Sequence, residues 1–379
     1  MSTDTAAAPH PLRIFHIDDQ QVREVEGGLA MLAGHSSPVA QTGYLWIAAT
    51  REAFAAQLAT VQQVLEAQCG QHLVDLHVAD LLNDQLPSHC DYTSQYDLLA
   101  FRRLAAREPV AAAPAPERRG GLPVLRRIDT RPVGFVLFER LLLSVHPDGG
   151  KIRDGYAARL LGPGGIDPRA KVARLPTGPA DLMLRILNRI VDAYLDLRRD
   201  LTRQLDHWQA ELVDPRSRFK DWSLLLAARQ SLAHLSEICE DQQAAMQDWL
   251  DALETLPVPQ APAELRRHEL LLVRARDLLE HIARVLHHVQ RLEANAETAV
   301  QMHFSVQSHR ANDIMRTLTV ITAVFLPLNL IAGVCGMNFE FIPLVHKTDG
   351  FWLAMAAMAG IAAVLVAYFW RKRYLERSR

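Results

Sequence analysis

The chain has 379 residues, 49% of them hydrophobic and 22% charged, with a formal net charge of −2. That length accommodates two or three folding units, and with no basic surplus there is no reason to invoke a nucleic-acid partner. The four cysteines, Cys69, Cys90, Cys239 and Cys335, are far apart and form no Cys-x-x-Cys pair, which points to reduced thiols in a cytosol-facing protein rather than a disulfide frame or a zinc site.

Met1–Pro11 is polar and alanine-rich without an apolar core, so no cleaved signal peptide is expected there. The stretch 1–176 is predicted to be a cytoplasmic domain of mixed α/β type. Leu12–Ile17 and Tyr44–Ala49 are short β-type runs, and Arg51–Gln68 has helical periodicity with several alanines. Asp97–Leu104 reads as another strand. Arg107–Gly121, in which Pro109, Pro114, Pro116 and Gly120-Gly121 surround an alanine run, is predicted to be a flexible linker or loop. Val124–Ile128, Gly134–Phe138 and Leu141–Val145 follow as three short strands. The order of the strands in their sheet is not legible.

From Gly178 the pattern turns helical. Leu182, Ile186, Ile190, Tyr194, Leu197, Leu201, Leu205, Trp208 and Leu212 recur every three or four residues. Asp221–Leu256 forms a second helical segment, closed by Pro257 and Pro259. A third begins near Pro262 and meets no proline or glycine before Pro327. Within it Leu278, Ile282, Val285, Val289, Leu292, Ala296 and Ala299 make a heptad-like seam. An unbroken helix from Ala263 to Asp313 extends about 75 Å, so 177–312 is read as a helical stalk region running directly into the apolar residues beyond it.

Two stretches, Leu318–Met337 and Phe351–Trp370, are each about 20 residues long, enough to cross a hydrocarbon core of about 30 Å. Neither carries a charge. Pro327, Asn329 and Gly333 interrupt the first, as membrane helices tolerate when neighbours satisfy the backbone. Arg371, Lys372, Arg373, Arg377 and Arg379 follow the second, whereas the loop Phe339–Gly350 has only Lys347. The positive-inside rule therefore places both chain ends in the cytoplasm and the loop outside. The division is a first span at 313–338, an outer loop at 339–350, a second span at 351–370 and a basic tail at 371–379, read as a topological anchor.

Two membrane helices do not enclose a water-filled path, so an ion path built from this chain needs several copies around an axis. The heptad seam suits that arrangement. The same stepping carried into the first span puts Asn312, Met315, Leu318 or Thr319, Thr322, Leu326, Asn329 and Gly333 on one stripe. From the residues alone the stripe stays open between an ion path and a packing seam. Asn338 likewise stays open between an ion-contacting amide and a helix C-cap.

Met315-Arg316-Thr317-Leu318-Thr319, Phe325-Leu326-Pro327-Leu328, Ile331-Ala332-Gly333 and Gly336-Met337-Asn338-Phe339 carry a more specific pattern. A Gly-Met-Asn triplet that ends the first of two C-terminal spans, after a long helix, resembles the signature of CorA-type magnesium transporters. The resemblance reaches the N-terminal domain only in outline, where Gly134–Phe138 and Leu142–His146 look like the family's paired strands. It implies an α+β cytoplasmic domain followed by a long helical stalk and two C-terminal transmembrane helices, in a funnel-shaped homo-oligomer, a pentamer, of a bacterial-type inner membrane. It implies gated passive influx of hydrated Mg2+, with Co2+ or Ni2+ as further ions. Gly336, Met337 and Asn338 become the selectivity filter, and Asn312, Met315, Leu318, Thr322, Leu326 and Asn329 the pore lining. Magnesium sheds its waters reluctantly, and a ring of carboxamide oxygens accepts hydrogen bonds from a still-hydrated ion. Rings of Met315, Leu318 and Leu326 act as a hydrophobic constriction that stays dry when narrow. The expected partners are further copies of the chain, membrane lipid and divalent metal ions. No resident cofactor is expected; Mg2+ is cargo and, by the resemblance, also a regulatory ion.

Three departures from the family pattern stand out. Ile342-Pro343-Leu344-Val345 lacks the acid that many relatives carry after the proline, leaving Glu340 and Asp349 to attract cations against Lys347. Asn329 stands where relatives often have threonine. Asp277 aligns with an acid of the family's regulatory magnesium site, but Gln301 replaces a second one, and Asp277 also reads as a solvated helix charge. His281, His287, His288, His303 and His309 crowd the stalk, and imidazole suits transition metals. His287 and His288 are adjacent and face different ways, so solvated or packing roles are expected. The competing readings are a zinc or other transition-metal transporter of a sibling family, against which Met337 speaks, and a membrane-anchored sensor or enzyme. For the latter the chain offers no Walker loop, Gly-x-Ser-x-Gly, His-Glu-x-x-His or dinucleotide fingerprint, and no enzyme is expected.

Overall fold

One mixed sheet organises the N-terminal part of the computed structural model, which describes residues 11–25, 27–34, 43–105, 128–147, 151–161, 175–213, 222–337 and 348–372. The chain divides into two units, Met1–Glu297 and Thr298–Arg379. The described elements of the first are β1 (Leu12–Ile17), β2 (Val22–Glu24), α1 (Gly28–Ala33), β3 (Tyr44–Thr50), α2 (Arg51–Ala56), α3 (Leu58–Cys69), α4 (Asp75–Leu82), β4 (His89–Tyr92), β5 (Asp97–Leu104), β6 (Thr130–Leu137), β7 (Leu141–His146), α5 (Lys151–Leu161), α6 (Pro179–Val213), α7 (Trp222–Thr255) and the first part of α8 (Pro262–Cys335). The strands lie in the order β2-β1-β3-β7-β6-β5-β4. Only β3 and β7 pair in parallel, with Leu45 opposite Leu141 and Ala49 opposite Val145. The remaining pairs are antiparallel.

The period-two alternation of the strands decides which side chains each sheet face buries. Leu45, Ile47 and Ala49 of β3 and Leu141, Leu143 and Val145 of β7 join Phe54, Val61, Val64 and Leu65 of α2 and α3 in one core. A Cβ at Gly134 on that face meets the end of the Leu81 side chain of α4, so glycine leaves that buried methyl its room. The opposite face carries Trp46 and a satisfied polar pair. The Trp46 indole donates to Ser144 Oγ at 2.9 Å, and Ser144 Oγ hydrogen-bonds His146 Nε2, also at 2.9 Å. Burial, helped by Arg153 and Arg103, pushes His146 down to about 3, so the ring is neutral. Helices α6 and α7 are tied to the sheet by Tyr194, whose hydroxyl donates to the Arg102 carbonyl at 3.0 Å, and by Trp249, whose indole donates to Asp97 Oδ2 at 3.3 Å.

The predicted helix over Arg51–Gln68 is two helices. Thr50 Oγ1 caps α2 by accepting from the Ala53 amide, and the chain breaks at Gln57 before α3 begins. The segments β2, α1, α4, β4 and α5 were not anticipated from the sequence. The predicted linker Arg107–Gly121 and most of the predicted strand Val124–Ile128 lie outside the described residues.

Helices α6, α7 and the start of α8 form a bundle whose partners are set by polar pairs. Arg276 meets Glu254 at 2.7 Å, Gln290 donates to Glu240 at 3.1 Å and Arg229 meets Glu297 at 2.7 Å, the register of an antiparallel α7–α8 pair. Arg274 and Arg185 both reach the buried carboxylate of Asp181 at the start of α6. The heptad seam is buried here: Leu278, Ile282, Val285, Val289, Leu292 and Ala296 are each at most 3% exposed within a single protomer. The seam is thus spent on the protomer's own bundle, and the expectation that it serves an axis between copies is corrected. Hydrophobic stepping gives a helix its buried face, not the identity of the chain that covers it.

The second unit holds the rest of α8 and α9 (Thr348–Arg371). Helix α8 continues through Pro327, which removes one backbone donor without ending the helix. Apolar side chains on both helices are bare within the protomer, with Leu326 at 69%, Trp352 at 72% and Val364 at 68% exposure. Exposed apolar surface of this extent marks a membrane or partner contact. Aromatic residues sit at both ends of α9, Phe351 and Trp352 at one and Tyr368, Phe369 and Trp370 at the other, with the Lys372 ammonium 5.5 Å from the Tyr368 ring centre. Trp352 and Trp370 are separated by about 27 Å of helix, close to the thickness of a hydrocarbon core.

Candidate functional site

The stripe predicted along the first span lies on the open side of α8. Asn312, Met315, Leu318, Thr322, Leu326 and Asn329 are all exposed in the protomer, Met315 at 67% and Leu318 at 62%. The residues of this segment that are shielded are Arg316, Val320, Ala323, Val324, Pro327, Leu328 and Ile331, of which Val320 is buried. At 3.6 residues per turn, the shielded line is rotated about 140° from the stripe. The stripe is therefore free to meet water, lipid or another copy, and it alternates amide and hydroxyl groups with bulky apolar ones.

The span's threonine hydroxyls are oriented by the helix itself. Thr319 Oγ1 donates to the Met315 carbonyl at 2.8 Å and Thr322 Oγ1 to the Leu318 carbonyl at 2.9 Å. Such back-bonding satisfies a hydroxyl where no water is assured. At the far end, the Gly336 amide donates to the Ala332 carbonyl at 3.0 Å and the Met337 amide to the Val334 carbonyl at 3.3 Å, closing the helix on its last carbonyls. A Cβ on Gly336 lies 3.2 Å from the Ala332 carbonyl oxygen, so the glycine permits a tight close. Met337 is half exposed. Asn338 and Glu340 lie outside the described residues, and Asp349 falls in the first turn of α9.

In the first unit, Asp277 is mostly exposed and lies 3.8 Å from His281 one turn further along the same helix. His288 is engaged by two neighbours: Nδ1 accepts from Arg291 at 2.9 Å, which leaves Nε2 to donate to Thr202 Oγ1 at 3.0 Å. Burial and the charges of Arg198, Arg291 and His287 lower its pKa, which fits a neutral ring. Burial pushes the Cys69 thiol up to about 11; burial with neighbouring acids pushes Cys90 and Cys239 up to about 12, so all three stay protonated and are poor metal ligands at neutral pH. Among the described residues, no three His, Cys, Asp or Glu side chains converge as a metal site. Sequence reasoning placed the stripe but not the direction of its hydroxyls. Every threonine inside a helix has a carbonyl four residues earlier, so spacing alone does not signal the back-bond.

A model of the CorA-like Mg2+ transporter protein family matches residues 58–373, from the start of α3 through both apolar helices. The chain belongs to this family. Among curated CorA relatives, the cobalt/magnesium transport protein CorA of Thermotoga maritima is 33% identical over 100 residues, 26% of this chain and 28% of that one. The cobalt/magnesium transport protein CorA of Methanocaldococcus jannaschii is 26% identical over 249 residues, 65% of this chain and 73% of that one. The solved structure of the complete CorA magnesium transporter from Methanocaldococcus jannaschii superposes with a TM-score of 0.66 at 20% identity, covering 96% of this chain and 98% of that one. That likeness is one of fold, and it spans the whole CorA architecture: an N-terminal α/β domain, a long helix and two C-terminal apolar helices.

Proposed function

We propose that this chain assembles as a homo-oligomer, a pentamer, and carries hydrated Mg2+, with Co2+ as a second ion, passively into the cell. The observation that carries this reading is the pair of bare apolar helices bracketing Gly336-Met337-Asn338 at the end of one long helix. Five stripes around an axis give a path whose wall alternates Asn312, Thr322 and Asn329 with Met315, Leu318 and Leu326. The apolar rings form a gate that dewets when narrow. The Asn338 amides form the outer ring, where carbonyl oxygens accept hydrogen bonds from the ion's own waters, so the ion enters without dehydration. Gly336 allows the close turn and Met337 packs behind the ring. Glu340 and Asp349 draw cations to the mouth, and Asp277 contributes to a regulatory Mg2+ site between cytoplasmic domains. Both termini face the cytoplasm of a bacterial-type inner membrane, the direction that the basic flank after α9 favours.

The test is ion-resolved uptake by vesicles containing the purified full chain. Mg2+ is expected to enter under an inward-negative potential, faster than Zn2+. Mg2+ entry no faster than in protein-free vesicles contradicts the proposal. For topology, a cysteine at Thr348 is expected to react with an impermeant thiol reagent from outside, and one at Ser378 is not; the reverse pattern overturns the direction of flux.

A further inference from the structure

The stripe residues Asn312, Met315, Leu318, Thr322, Leu326 and Asn329 carry no formal charge, and Asp313 and Arg316 lie off the stripe, so nothing lining the proposed path through the first span distinguishes a cation from an anion by formal charge. The sign must be read by dipoles. Asn312 and Asn329 are ambivalent, because a carboxamide offers both a donor and an acceptor and can rotate to suit either ion. Thr322 is not ambivalent. Its single hydroxyl proton is committed to the Leu318 carbonyl at 2.9 Å, and that of its neighbour Thr319 to the Met315 carbonyl at 2.8 Å. Each hydroxyl then turns only lone pairs outward. Thr322 also sits four residues from Leu318 and four from Leu326, about 6 Å of helix from each, in the middle of the apolar stretch.

We propose that Thr322, supported by Thr319, is the specificity-determining element that admits cations and rejects anions inside the apolar constriction. This inference rests on the pore reading above. The waters of a hydrated cation point their hydrogens outward and find acceptors at the Thr322 ring. A bare or partly stripped anion needs donors and finds none. The same ring divides the apolar stretch into two shorter dry segments and so eases passage of the water shell.

Thr317 supplies the control. It makes the same back-bond, to the Asp313 carbonyl at 2.9 Å, but lies about 140° around the helix from Thr322, off the stripe. The experiment compares Mg2+ flux and the reversal potential in a MgCl2 gradient for Thr322→Val, Thr322→Ser, Thr317→Val and Asn338→Ala, each checked for the parent's assembled mass. Thr322→Ala is a second removal of the hydroxyl should the valine variant not assemble. Loss of the hydroxyl is expected to reduce Mg2+ flux by up to about tenfold, the upper end of one hydrogen bond between neutral groups, and to move the reversal potential toward the anion's. Thr317→Val is expected to keep both parental values, and Thr322→Ser, which retains the hydroxyl, to keep the parental reversal potential that the hydroxyl-free variants lose. Parental flux and reversal potential in both hydroxyl-free variants, with flux abolished in Asn338→Ala, overturns the role of Thr322 and leaves the pore reading standing. Undiminished flux in Asn338→Ala removes the pore reading itself, and this inference with it.

Discussion

Truncating the α8 seam should weaken each protomer from within instead of loosening contacts between copies. Leu278 is fully buried and Ile282 is 1% exposed, both inside the bundle made with α6 and α7. Replacing either by alanine removes buried methyl and methylene groups and leaves a cavity that the flanking Val285 and Ala275 fill only in part. Such changes cost about 2–5 kcal/mol each. For a unit of this size, Met1–Glu297, that lowers the unfolding midpoint by roughly 3–8 °C. The assay is thermal unfolding of the full chain in detergent at several protein concentrations, followed by the emission of Trp46 and Trp249, which are both buried. A shift of that size, the same at every concentration, is the expected result. A midpoint unchanged in the protomer, with the assembly dissociating on dilution, refutes the assignment of the seam to the protomer's own core.

Three further perturbations probe other links. Gly134→Val forces a side chain into Leu81 and is expected to destabilise the α/β domain by about 1–3 kcal/mol in denaturant unfolding, with Gly134→Ala intermediate. At Asp181, burial alone raises the carboxyl's pKa, but the hydrogen bond from Arg274, the charge of Arg185 and the Thr177 amide together outweigh it, and the net shift is downward. The ionised group therefore contributes stability above the ordinary Asp value near 4 and loses it as pH falls through the lowered value. Asp181→Asn is expected to lose about 1–3 kcal/mol at pH 7, a figure discounted because Arg274 and Arg185 remain partly exposed, and to flatten the loss of stability between pH 5 and 2. Leu326→Ser wets one apolar ring and is expected to raise resting Mg2+ leak several-fold in vesicles, without changing the assembled mass.

The two C-terminal helices were legible because their length and composition together with the basic flank after the second pointed to spans, and the bare Leu326, Trp352 and Val364 agree with that reading. The strands Leu12–Ile17 and Asp97–Leu104 were legible to the residue because β-type runs there end in polar turns. Their neighbours in the sheet were not, since the parallel pairing of β3 with β7 joins residues nearly a hundred positions apart and no local pattern encodes it. The short elements α1, α4 and β4 carry too few turns or alternations to show a period. Stepping along α8 revealed a buried face, yet it is the polar pairs, among them those to Glu254, Glu240 and Asp181, that reveal that α7 and α6 cover it. The stripe of the span was legible by spacing. The one-sided hydroxyls of Thr319 and Thr322 were not, because they depend on a side-chain torsion that the residue name leaves open.

Whether Mg2+ passes an amide ring at the outer end of the first span is decided by Mg2+ uptake in vesicles carrying the parent chain or Asn338→Ala at equal assembled mass. Mg2+ is expected to enter with the parent, driven by an inward-negative potential, and not with the variant. Equal Mg2+ entry in the two contradicts it and returns Asn338 to the role of a helix cap.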